Sequence, residues 1–119
     1  MTFACMRTPT DYFYSDGNSN QYTLRGLTLT YTPVKPEESS SGTYSGGEPR
    51  TVAISRSQAR ALESLFEQAI SHVDAHQPNR VKGTGVIIIT RGGEERRCVL
   101  KKSSREMDHI HAMVSEYLK

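Results

Sequence analysis

Two stretches of this chain repeat their apolar residues with the period of a helix. Leu62, Leu65, Phe66, Ala69, Ile70 and Val73 recur at intervals of three and four residues and form one stripe. Ser55 and Gln58 stand at capping-box spacing ahead of that stripe, which predicts a helix start there. The same helix should end before Pro78, because the residue preceding proline avoids helical angles. Met107, Ile110, His111, Val114, Tyr117 and Leu118 make the second stripe, and Ser103 with Glu106 supplies its expected cap.

Elsewhere the pattern is that of strands. Tyr12, Phe13 and Tyr14 give a short aromatic strand signal, and the turn formers from Ser15 to Gln21 follow it. A second strand is expected from Tyr22 to about Thr32, with a bulge at Gly26 where the alternation changes phase. Thr51 to Ile54 predicts a brief third strand. Beyond the first helix, Thr84–Arg91 and Glu94–Lys101 read as a hairpin closed by Gly92-Gly93, since glycine takes positive φ without a Cβ clash. The order is ββ(β)α-ββα. It predicts a single α+β domain over residues 1–119, with a mostly antiparallel sheet of four to five strands and two helices on one face. Residues 1–11 read as a loosely attached arm. Residues 33–49 read as a long Ser/Gly-rich loop in which Tyr44 is the side chain suited to recognition.

The hairpin register allocates side chains to faces. Pairing Arg91 with Glu94 sets Ile87 opposite Cys98, Ile88 opposite Arg97 and Val86 opposite Val99, and such partners share a face. Ile87, Ile89, Cys98 and Leu100 then point to the core, with Arg96 near the hairpin end. Val86, Ile88, Arg97, Val99 and Lys101 occupy the other face. A solvated sheet face normally carries polar residues at alternate positions, and the run Val86-Ile87-Ile88-Ile89 breaks that rule. Something should cover the second face: the chain's own arm or loop, a second copy, or another protein.

Composition changes this picture little. At 119 residues, with 35% hydrophobic and 24% charged positions, the chain has enough apolar material for a core. Its longest aliphatic run, Val86–Ile89, is far too short for a membrane helix, so no membrane partner is expected. The N-terminus shows no apolar segment behind a basic start, and two cysteines form no disulfide framework; the expectation is a cytoplasmic protein. Net charge is only +2, yet residues 80–105 hold eight Lys and Arg against Glu94 and Glu95. One alternative is therefore polyanion or nucleic-acid binding through Arg91, Arg97, Lys101 and Lys102. No aromatic residue lies between Gln77 and Met113 to stack on bases, which counts against it.

Catalytic chemistry is thinly represented. His72 and His76 are four apart, and with His111 they are the candidate ligands for a metal-dependent enzyme, the third reading. No Glu stands between them as in His-Glu-x-x-His, and a histidine near a helix C-terminus is equally explained by the helix dipole. His111, on the apolar stripe, reads as a hydrogen-bonded core residue, and His109 as exposed. Cys98 is expected to point inward as a small hydrophobe. No serine sits in a Gly-x-Ser-x-Gly elbow, the adjacent pairs Glu37-Glu38 and Glu94-Glu95 lie in or beside turns, and Lys82-Gly83-Thr84-Gly85 leads into a strand, not a helix N-terminus. No cofactor is expected. The leading expectation is a non-catalytic binding or assembly module acting through Val86, Ile88, Arg97, Val99 and Lys101, with Tyr44 as a second contact.

Overall fold

The computed structural model describes residues 10–18, 20–34, 47–81, 83–102 and 104–118. They form a mixed α+β fold, a seven-stranded sheet with two helices. The strands are β1 (Thr10–Ser15), β2 (Gln21–Arg25), β3 (Thr28–Thr32), β4 (Arg50–Ala53), β5 (His76–Gln77), β6 (Gly85–Arg91) and β7 (Glu94–Leu100). The helices are α1 (Arg56–Ser71) and α2 (Arg105–Tyr117). Across the sheet the order is β4-β3-β2-β1-β6-β7-β5, and every neighbouring pair is antiparallel.

The strand count exceeds the expected four to five for two reasons. First, the stretch from Tyr22 to Thr32 is not one bulged strand. Arg25 pairs with Thr28, so Gly26 and Leu27 form a tight turn and the stretch becomes the β2–β3 hairpin. A phase change in alternation fits a bulge and a two-residue turn equally well, and only pairing separates them. Second, β5 has two residues, too few to leave any periodic trace. The order ββ(β)α-ββα is accordingly replaced by ββββα-βββα. The Gly92-Gly93 hairpin has the expected register, with Arg91 opposite Glu94, and both glycines at positive φ, 59° and 84°.

Helix α1 starts as its capping box requires. Gln58 N–H donates to Ser55 Oγ at 3.1 Å, and Ser55 N–H to Gln58 Oε1 at 2.9 Å. It ends at Ser71, so Val73 falls in a 3-10 turn and is 71% exposed, off the stripe it was assigned to. Helix α2 is capped by Ser104, not Ser103; the Ser104 hydroxyl accepts from Met107 N–H at 3.4 Å. His111 is exposed, while Met107, Ile110, Val114 and Leu118 carry the buried stripe. The assigned arm overlaps β1, because Thr10 and Asp11 are already in the sheet.

The core lies between one sheet face and both helices. Leu62, Phe66 and Ala69 of α1 and Ile110 and Val114 of α2 bury against Tyr12, Tyr14, Tyr22, Leu24, Leu29, Ile87, Ile89 and Leu100. Aromatic rings form its centre: Phe66 stacks on Tyr12 with ring centres 5.6 Å apart, and Tyr14 on Tyr22 at 5.6 Å. Each buried side chain of this size contributes about 1.5–3 kcal/mol, which is why both helices settle on this face; among the described residues no helix or strand lies over the other.

Candidate functional site

Strand register places the residues of the opposite face on a grid of three rows. The central row crosses the sheet as Thr51, Thr30, Thr23, Phe13, Ile88 and Arg97. The row toward the Gly92-Gly93 turn reads Ala53, Thr28, Arg25, Asp11, Thr90 and Glu95. The third reads Thr32, Gln21, Ser15, Val86, Val99 and Gln77. Val86, Ile88, Arg97 and Val99 thus do share the face away from the helices. Phe13, Val86, Ile88 and Val99 are adjacent at its middle and half-buried. Lys101 lies past the end of β7 and is exposed. Tyr44 lies outside the described residues.

Phe13 and the threonines are members of this face that the hairpin register alone could not reveal. The available signal was the placement of Phe13 between Tyr12 and Tyr14, which must point the other way. Using it requires knowing that β1 pairs with β6, 70-odd residues away in sequence, with Phe13 opposite Ile88.

One end of the face is closed by a polar cluster. Arg80 reaches over from the segment before β6: its guanidinium donates to Ser15 Oγ at 3.2 Å, to Thr84 Oγ1 at 3.3 Å and to the Thr84 carbonyl. Beside it, the β1–β2 turn is organised by the buried Asp16 carboxylate. Oδ1 accepts from Asn18 N–H at 2.9 Å and Asn20 N–H at 3.0 Å, and Oδ2 from Asn20 Nδ2 at 3.1 Å and the Tyr22 hydroxyl at 3.2 Å. Burial, then the charge of Asp16, push the Tyr22 phenol well above its usual value, so Tyr22 stays a donor. Gly17 in this turn lies against the loop before β6; a Cβ there would stand 2.9 Å from the Gly83 carbonyl oxygen.

The basic residues do not gather on one surface. Arg91 and Arg96 point to the helix side, where Glu67 of α1 accepts from both, at 3.1 Å and 2.5 Å. Partial burial works against ionisation of Glu67, but the hydrogen bond and charge of Arg96, then Arg91, outweigh it and hold the carboxyl below its usual value. Arg97 stands on the other face, and Lys101 and Lys102 follow β7. Of the four cations named for a polyanion, Arg91 and Arg97 are therefore on opposite faces of the sheet.

The histidines do not converge either. Because α1 stops at Ser71, His72 and His76 are not on one helical face: His72 caps the helix and His76 begins β5. His72 Nδ1 meets the Glu106 carboxylate, whose hydrogen bond to His72 lowers the pKa of Glu106. His76 Nε2 donates to the Ala69 carbonyl at 2.8 Å, and His111 faces solvent on α2. Among the described residues no three His, Cys, Asp or Glu side chains are grouped closely enough to hold a metal. Cys98 is buried, and burial pushes its thiol up to about 11, the reverse of what a nucleophile needs. No described helix is long and apolar enough to cross a membrane.

The arrangement defines a class by architecture: a two-layer α+β protein with both helices on one side of an antiparallel sheet. The chain matches no known family, no curated protein and no solved structure.

Proposed function

We propose that this protein is a non-catalytic binding and assembly module that works by burying the open face of its sheet against another protein surface. The observation that supports this reading is the contiguous set Phe13, Val86, Ile88 and Val99 on the face away from both helices. Four apolar side chains at neighbouring sheet positions are worth about 1.5–3 kcal/mol each when fully buried, so a partner surface is rewarded for covering them. The flanking Thr23, Thr30 and Thr51 suit the same role, since hydroxyls tolerate either water or a protein partner.

Area sets the strength. Seven strands at about 4.8 Å spacing and three rows about 7 Å apart give a flat footprint of roughly 700 Å² at most, since β5 spans a single row. A stable interface takes about 800 Å² from each partner, so the face supports a reversible contact and not an obligate one.

Light scattering coupled to size exclusion tests the reading. The wild type should associate increasingly with concentration, and should lose no more than a few-fold in affinity at high salt because apolar burial is not screened. Ile88→Lys should give a monomer whose circular dichroism spectrum is unchanged, because Ile88 does not face the core. An assembly that survives Ile88→Lys, or a wild type that neither self-associates nor retains a partner through this face, would overturn it.

A further inference from the structure

We infer that the occupant of the open face is a second copy of this chain, related by a two-fold axis that runs along the strands between β1 and β6. This rests on the binding reading above and adds its partner and geometry. Two sheets stacked face to face lie about 10 Å apart with strands nearly aligned. A two-fold axis lying between them keeps each row in place and exchanges columns, so β1 covers β6 of the other copy and β2 covers β7.

In the two rows nearer the Gly92-Gly93 turn the grid pairs side chains by kind, while in the third row Val86 lies over the partner copy's Ser15 and Val99 over its Gln21. Phe13 lies over the partner copy's Ile88, and by symmetry the reverse. In the row toward the Gly92-Gly93 turn, Arg25 lies over the partner's Glu95, again twice. Arg97 lies over the partner's Thr23, whose hydroxyl can accept from the guanidinium. Among the described residues of one copy Arg25 pairs with Asp11 at 3.5 Å, with the Arg25 side chain 73% exposed, and Glu95 is exposed. Both are therefore accessible to a facing surface and long enough to meet across the gap.

Other two-fold arrangements are worse. An axis across the strands, along the central row, sets Arg97 over Arg97 and places Glu95 over Val99. Like charges face each other and a carboxylate loses water against an aliphatic side chain. Moving the axis onto β1 sets Ile88 over Thr23, and moving it onto β6 sets Phe13 over Arg97. Arg80 closes the face at Ser15, so the contact is centred on the two rows nearer the Gly92-Gly93 turn.

Charge reversal tests the geometry. Dissociation constants for the dimer are measured by sedimentation for wild type, Arg25→Glu, Glu95→Arg, the double variant and Ile88→Lys, each checked for unchanged thermal midpoint as a monomer. Each reversal should weaken the dimer about fivefold, as expected for two lost exposed ion pairs, and less at high salt. The double variant should return to within about twofold of wild type, which a merely local effect of either substitution would not produce. Glu95→Gln, which adds no repulsion, should fall between wild type and Glu95→Arg. A double variant no better than its single parents overturns this geometry, while Ile88→Lys still separating the copies keeps the face. A dimer indifferent to Ile88→Lys overturns the underlying reading as well.

Discussion

Glu67 joins two layers of the molecule with one carboxylate. From a half-buried flank of α1 it receives Arg96 of β7 and Arg91 of β6, so it ties the helix to the hairpin strands near the Gly92-Gly93 turn. Its side chain is 34% exposed, which keeps the contribution modest. Exposed pairs are worth about 0–1 kcal/mol each, so Glu67→Gln should cost about 1 kcal/mol at neutral pH. The sign with pH follows from the lowered carboxyl pKa. The stabilisation is complete above the unfolded carboxyl value, about 4.3, and is lost as pH falls through the lower folded value. Urea midpoints for wild type and Glu67→Gln should therefore converge in acid. A difference that persists undiminished below the carboxyl range would show that Glu67 acts by packing and not by charge.

Asp16 illustrates what a single turn can demand of its element. The β1–β2 connection would otherwise leave two backbone N–H groups, an amide and a phenol short of acceptors, and one buried carboxylate receives all four. Asn20, oriented by Asp16, in turn accepts from Val34 N–H at 2.9 Å, so the segment that follows β3 is drawn into the same cluster. Removing the acceptor strands buried donors, which costs about 1–3 kcal/mol for each group left without water. Asp16→Ala should lose about 3 kcal/mol of unfolding free energy in a urea titration with unchanged m-value. Asp16→Asn, which keeps one acceptor oxygen, should recover part of it. A loss under about 1 kcal/mol would mean that water replaces the carboxylate and the turn does not depend on it.

Considered as a whole, the molecule spends its large apolar side chains on one side of the sheet and leaves smaller groups of them on the other. Cys98 reports on the first side. It faces the core on β7, opposite Ile87, with its thiol pushed up by burial. Thiol labelling in a Cys5→Ser background should follow global unfolding, with a rate that scales with the unfolding equilibrium measured by urea. Rapid labelling in native buffer would show that β7 opens locally, as its outer edge permits: β5 pairs only with Val99 and Leu100. That edge is otherwise blunted by Glu94, Glu95, Arg96 and Arg97, charges that discourage strand addition by another chain.

Several features of this protein are legible in the sequence because they are local. The capping box at Ser55, the stripe through Leu62, Phe66 and Ala69, and the Gly92-Gly93 hairpin register each depend on residues a few positions apart. The same register separates Ile87 from Ile88 and so foresees half of the open face. Non-local pairing decides the rest. Phe13 belongs with Ile88 only because β1 is inserted beside β6, and the threonines of β2, β3 and β4 join that face only because those strands pair in succession. The histidines illustrate the converse. His72 and His76 look like a helical pair by spacing, but the chain leaves the helix at Ser71 so that His76 can pair with Leu100 at the sheet edge. Periodicity records which side of its own element a residue occupies. Which elements are neighbours is set by the burial that the assembled sheet and helices achieve together, and only the tertiary structure decides that.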